Sequence, residues 1–246
     1  MIEKTFCHIE GISENMEKIL WKNGICNWNY FLENYDNIEC LSNKKLEKIR
    51  EDILVSKENL SCSNIKYFKN KLHVKHHYRL ANLGKIAYVD IETTGLSRWI
   101  DKITMIGIYD GIEAKSYIYG QDLELAYEKL KEFDIVVTFN GKIFDIPFIQ
   151  HKCSYKYDLI HLDLRYLLKE FGLFGGLKKI ELELGLKRDE EVTSIDGFEA
   201  VRLWKKFEKG DIKALKKLIK YNHEDIINLK YLLDWYLTNK KNNLFN

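Results

Sequence analysis

The sequence predicts an α/β protein, a mixed five-stranded sheet flanked by helices and preceded by a small helical region. Three observations lead there. Short β-branched and aromatic runs recur beyond residue 80, and the first three lie too close together to admit helices between them. The later runs alternate with helical apolar spacing. Residues 1–80 show helical spacing with no convincing strand series.

In chain order, MEKILWKNGI, WNYFLENY and NKKLEKIREDIL carry apolar residues at helical intervals. HIEGISENMEKILWKNGI resembles part of a helix-hairpin-helix, but only Gly11 is present, with Ser13 at the second glycine position and no long helix before it. A packing module explains this stretch as well as a nucleic-acid clamp does. Strands are expected near 86–92, 103–109, 114–119, 135–139 and 158–163. The first three should form an antiparallel meander, and helices near 122–133 and 145–153 should provide crossovers. KKIELELG, FEAVRLWKKF and a long final helix complete the chain.

Three segments carry chemistry. In IAYVDIE, strand alternation puts Asp90 and Glu92 on one face, roughly 7 Å apart. Asp90 stands between apolar neighbours, where a carboxylate is costly unless paired or metal-bound; solvated acids at a strand end are the bland alternative. Asp145 follows the apolar run DIVVTFN, and Pro147 suits a first helical turn, so Asp145 could simply cap that helix. In IKYNHEDIINLKYLLDWYL, Tyr221 and Asp225 are four apart and share a helical face, as ordinary surface pairs also do. Together the four carboxylates would repel one another, so a convergent site needs cations. Hard oxygen donors without a Cys or His cluster select Mg²⁺ or Mn²⁺. Two such ions can clamp the attacking and leaving oxygens of an in-line displacement at phosphorus.

These segments resemble the three exonuclease motifs of the DEDD superfamily, which implies a ribonuclease-H-like fold. The Asn140-x-x-x-Phe144-Asp145 and Tyr221-x-x-x-Asp225 forms resemble its DEDDy branch. Over residues 1–240 the chain resembles the YprB-like ribonuclease-H-like proteins, through its Gly-Ile-containing helical N-terminus and DIETTGLS strand. The resemblance implies that Asp90 bridges two metals, that Glu92 and Asp225 bind the water-activating one, and that Asp145 holds the second, directly or through water. Tyr221 would orient the attacking water. Thr93, Thr94 and Leu96 would cradle the 3′-terminal nucleotide, with Leu96 as a wedge, and Asn140 and Phe144 would contact it as well. For Leu96 and Phe144 plain packing is the competing explanation. Lys178 could meet a phosphate, although a lysine on an exposed helical face is ordinarily just solvated. The histidine branch is disfavoured, because Lys220 occupies the position of its general base and His223 lies about 200° around the helix from Asp225.

Composition bounds the rest. The 246 residues allow one sizeable core plus an appendage, and 46% hydrophobic residues with a single proline argue for a folded chain. Neither a membrane span nor a signal peptide is visible. Five cysteines without a C-x-x-C pair read as free thiols in a reducing cytoplasm, with a metal cluster of the first four as a remote alternative. Net charge is only +2, but residues 42–82 carry ten Lys/Arg against four Asp/Glu, besides His73, His76 and His77. That stretch could hold phosphates or be a solvated helix face; the histidines suit solvent or capping roles better than a metal. The expected organisation is a helical region over 1–80 and a ribonuclease-H-like exonuclease domain over 81–240. The expected function is metal-dependent 3′→5′ exonuclease action on DNA or RNA with a free 3′ end, with no membrane partner. A ribonuclease-H-type endonuclease and a catalytically idle nucleic-acid-binding module are the alternatives.

Overall fold

A computed structural model describes residues 1–153 and 156–243. The chain packs as two compact units, Lys85–Leu237 and Met1–Gly84, the latter counted with the end of the last helix from Thr238.

The first unit holds α1 (Glu14–Lys22), α2 (Trp28–Glu33), α3 (Asn43–Ser61) and α4 (Ile65–Lys71), followed by a 3-10 helix, Val74–Leu80. Side-chain oxygens of Ser13, Asn27 and Asn64 accept from backbone N–H groups in the first turns of α1, α2 and α4, which supplies otherwise orphaned donors. Gly11 has φ +83°, and the described residues before it form a 3-10 turn, Ile2–Lys4, and no long helix. Arg79 is buried and forms a two-bonded fork on the buried Glu17, whose Oε1 also accepts from Phe6 N at 2.6 Å. The histidines are structural. His73 Nδ1 accepts from Lys75 N at 3.3 Å, His76 Nε2 lies 3.0 Å from Glu14, and His77 Nε2 meets the carbonyls of Lys69 and Leu72. Of the solvent or capping roles expected, His73 takes the cap, while His76 and His77 are buried.

The second unit contains β1 (Ile86–Thr93), β2 (Ile103–Tyr109), β3 (Ala114–Ile118), α5 (Leu123–Leu130), β4 (Ile135–Thr138), α6 (Asp145–Lys152) and β5 (Ile160–Asp163). It continues through α7 (Leu164–Leu167), α8 (Leu177–Glu183), α9 (Glu190–Thr193), α10 (Gly197–Glu208) and α11 (Ile212–Asn243). The five strands form one mixed sheet, order β3-β2-β1-β4-β5, in the ribonuclease-H-like arrangement. β1–β2 and β2–β3 pair antiparallel, and β1–β4 and β4–β5 pair parallel.

Strand alternation separates two cores. Ala87, Val89 and Ile91 of β1 join Leu123, Ala126, Leu130, Phe148 and Ile149 from α5 and α6. Met105 of β2 joins Ala200, Leu203, Trp204, Leu215 and Leu218 from α10 and α11. The even residues of β1 therefore face the α10–α11 layer, and Asp90 and Glu92 are among them. Among the described residues no helix is long and apolar enough to cross a membrane.

Candidate active site

β1 supplies two acids from adjacent same-face positions. Asp90 pairs with Gly107 across the antiparallel ladder and Glu92 with Met105, after which the register shifts at Thr93. The absence of a side chain at Gly107 matters here. A Cβ added there would lie 2.2 Å from Asn222 Oδ1, so the glycine lets α11 bring Asn222 against the sheet. Asn222 is fully buried, donates from Nδ2 to Asp90 Oδ2 at 3.1 Å, and accepts from Ser116 Oγ at 2.7 Å. One turn on, α11 delivers Asp225.

Carboxylate oxygens of Asp90, Glu92 and Asp225 all lie within 4.8 Å of one another, the one group of three or more metal-capable side chains among the described residues. No cysteine belongs to it, and none of the five cysteines is in a disulfide. Asp145 stands beside this trio. Its Oδ1 accepts from Ile91 N at 3.1 Å, so α6 is tied to the middle of β1. It is the first residue of α6, and Phe144 holds the N-cap position, so the capping role open to Asp145 is not the one it takes.

The electrostatics fit a cation site. Burial, then the charges of Asp225 and Asp145, hold Asp90 and Glu92 well above the usual carboxylate range. Burial pushes Asp145 up to about 7, and burial raises Asp225 to about 6 against the downward pull of Arg188. The buried Glu92, Asp145 and Asp225 and the half-buried Asp90 disfavour one another's ionised forms, and an all-oxygen donor set suits a hard divalent cation. Tyr221 shares the site: it lies close enough to Asp225 to pull that carboxyl's pKa down, and burial followed by the carboxylates of Asp225, Glu92 and Asp90 raises its own.

Several partners here were not read from sequence. Arg188 forks onto the buried Glu181 (Nε–Oε2 2.6 Å, Nη2–Oε1 2.7 Å), and its Nη2 also meets Asp225 Oδ1. Asn228 Nδ2 donates to Glu181 Oε1 at 3.0 Å. On the opposite side Asp163 accepts from the backbone N–H groups of Asn140 (2.8 Å), Lys142 (2.9 Å) and Arg165 (3.1 Å). That nest fixes the turn after β4, where Asn140 adopts φ +65°. Asn140 Oδ1 accepts from Arg165 Nη1 at 2.6 Å.

The remaining expected contacts are spread unevenly. Thr93 donates to Gly95 O at 2.6 Å, and Thr94 donates to Asp101 Oδ1 at 3.1 Å, so both hydroxyls brace the turn. Leu96 is 82% exposed and free of the core. Phe144 packs on Phe148 with ring centroids 4.9 Å apart. Lys178, expected as a phosphate contact, lies over the Tyr221 ring at 5.2 Å and donates to the carbonyls of Thr193 and Ile195, so its ammonium is held by backbone.

The RNase_H_2 family model, of the RNase H superfamily, matches residues 87–237. No curated protein matches the chain. Among solved structures, a family B DNA polymerase from Pyrobaculum calidifontis shows 16% identity and a TM-score of 0.49 over 63% of this chain and 24% of that one. The chain thus spans about a quarter of the polymerase's length. Brucella melitensis NrnC bound to pGG shows 19% identity and a TM-score of 0.45, over 64% of this chain and 75% of that one. NrnC with bound Mg²⁺ gives 18% and 0.45 over 65% and 76%.

Proposed function

The chain belongs to the RNase H superfamily, and from that premise we propose that it is a metal-dependent 3′→5′ exonuclease of the DEDDy type, of the YprB-like kind. Residues 81–240 carry the activity, and residues 1–80 form a helical region ahead of it. The substrate is single-stranded or frayed DNA or RNA with a free 3′ end. The observation that carries this reading is the convergence of Asp90, Glu92 and Asp225 within 4.8 Å, with Tyr221 one turn before Asp225 on α11.

Asp90, Glu92, Asp145 and Asp225 would hold two Mg²⁺ or Mn²⁺ ions, which when bound supply charge neutralisation and water activation for in-line displacement at phosphorus. Asn222 fixes the Asp90 carboxylate by donating to its Oδ2. The Ile91 N–H does the same for Asp145. Tyr221 remains a neutral phenol at working pH and offers an oxygen and a proton with which to orient the attacking water. Arg188 counters the Asp225 charge from the protein side. The exposed Leu96 and the Asn140–Phe144 turn supply the apolar and polar edges that grip a terminal nucleotide, and Lys178, beside Tyr221, supports the far wall rather than offering a mobile phosphate ligand.

End-labelled strands incubated with Mg²⁺ or Mn²⁺ test the metal requirement. Cleavage should vanish in excess chelator and in Asp90→Ala or Asp225→Ala, with far-ultraviolet circular dichroism unchanged. Robust cleavage in chelator would sink the two-metal assignment.

A further inference from the structure

The loop after β1 carries more exposed apolar surface than a turn requires. Thr94 N donates to Lys102 O at 2.9 Å, and Asp101 accepts from Thr94 Oγ1 and Ser97 N, so residues 95–101 form a closed and braced loop. Gly95 is needed there, because a Cβ would lie 2.7 Å from the Asp101 carboxylate. On this rigid frame Leu96, Trp99 and Ile100 are 82%, 69% and 84% exposed. Such a group on a braced loop marks a contact surface rather than scattered apolar residues.

Its chemistry points to bases. The Arg98 guanidinium lies over the Trp99 indole at 5.1 Å, and the His151 ring meets that indole at 4.4 Å between centroids, 70° apart in plane. His151 sits on α6, six residues beyond Asp145, about 9 Å along a helix. That span equals roughly two to three nucleotides at about 3.4 Å per residue of strand. Beyond the platform a groove of about 450 Å³ is lined by Lys102, Tyr119, Tyr127, Lys131 and Lys152, along with Glu124 and Glu128. Lys131 is paired with Glu128, while Lys102 lies over the Tyr119 ring at 5.1 Å. Aromatic faces interleaved with cations form the surface that single-stranded nucleic acid follows, since every base has a π-face and every linkage a negative charge.

Building on the exonuclease reading, we propose that Trp99, braced by Arg98 and His151, is a base-stacking subsite for the third nucleotide from the 3′ end, and that the strand runs on into the groove of Lys102, Tyr119 and Lys152. The enzyme therefore prefers single strands longer than a dinucleotide, because only these reach the platform.

The test uses the full chain carrying Asp90→Ala, so that binding is read without cutting. Fluorescence anisotropy with 5′-labelled octanucleotides and dinucleotides, each as DNA and as RNA, is compared with and without Trp99→Ala and Trp99→Phe. Trp99→Ala should weaken octanucleotide binding at least about fivefold, the lower end for one lost stack, and leave dinucleotide binding nearly unchanged. Trp99→Phe should recover much of the loss. An unchanged octanucleotide affinity would overturn the subsite, as would an equal loss for both lengths, which would mean that the loop had collapsed. Sedimentation showing that Trp99→Ala only dissociates a dimer would instead make the patch a self-association face. Failure of the unaltered enzyme to cleave any linear strand with metal would sink the exonuclease reading alone, since the anisotropy result is independent of turnover.

Discussion

Tyr221 is the residue on which catalysis and structure separate most cleanly. Its ring is held between Lys178 and Arg188, with cations 5.2 and 5.7 Å from the centroid, so losing the hydroxyl leaves the packing intact. Tyr221→Phe should slow turnover by roughly 10²–10⁴, the range for a lost acid–base or positioning group. The metal concentration for half-maximal rate should stay close to that of the unaltered enzyme. A variant that needed far more metal, as Asp90→Ala would, makes Tyr221 a ligand support and contradicts the role assigned here. The convergence of Asp90, Glu92 and Asp225 was legible because a buried strand with two same-face carboxylates and a helix with an i,i+4 Tyr–Asp pair leave a periodic trace. Arg188, Glu181 and Asn222 left none. Arg188 and Glu181 lie in charged stretches that read as solvated, and their burial depends on α8 and α11 meeting in space. The backbone partners of Lys178 were hidden for the same reason: they appear only when Thr193, Ile195 and Tyr221 are placed around it.

At the level of elements, the close approach of α11 to the β1–β2 ladder sets the site. Gly107 and Asn222 form a matched pair, and neither can be recognised alone in sequence. Gly107→Ala would push a methyl into Asn222 and disturb its bond to Asp90. The expected result is a loss of about 1–3 kcal/mol in urea denaturation, as for overpacking, together with reduced turnover. Asn222→Ala in that background should recover part of the stability but not the turnover. A Gly107→Ala protein with native stability and rate would show that the approach is looser than described. The strands themselves were legible to within one or two residues at each end, because apolar runs bounded by turn residues define them. The order β3-β2-β1-β4-β5 follows from short connections among the first three strands and helical crossovers thereafter. The burial of His76 and His77 was not visible, because it comes from contacts with Glu14 and with the end of α4 rather than from local pattern.

For the whole molecule, the acidic site sets a trade between stability and activity. Asp90, Glu92, Asp145 and Asp225 all have raised pKa values in the folded state, with Asp145 at about 7 and Asp225 at about 6. The unfolded chain releases those protons near about pH 4. Between that value and the folded ones the native state holds more protons, so these groups make the metal-free protein lose stability as pH rises from about 4 through about 7. Thermal unfolding in chelator should show that decline on the acid side of neutrality, and Asp145→Asn should flatten it. Added Mn²⁺ at neutral pH should raise the melting temperature of the unaltered protein much more than that of Asp90→Ala. A metal-free melting temperature that rises steadily over this range would contradict the electrostatic account.

Polarity, hydrolysis from a free 3′ end, is decided on one gel. A 5′-labelled linear strand, the same strand bearing a 3′-phosphate, and a covalently closed circle of the same sequence are incubated with enzyme and Mn²⁺. The grip expected from Leu96, Asn140 and Phe144 closes around a terminus and cannot thread a continuous strand. The account predicts a ladder shortening from the 3′ end of the first strand, slower loss of the phosphorylated one and an intact circle. Cutting of the circle at a rate comparable with the linear strand would contradict it and make the enzyme an endonuclease.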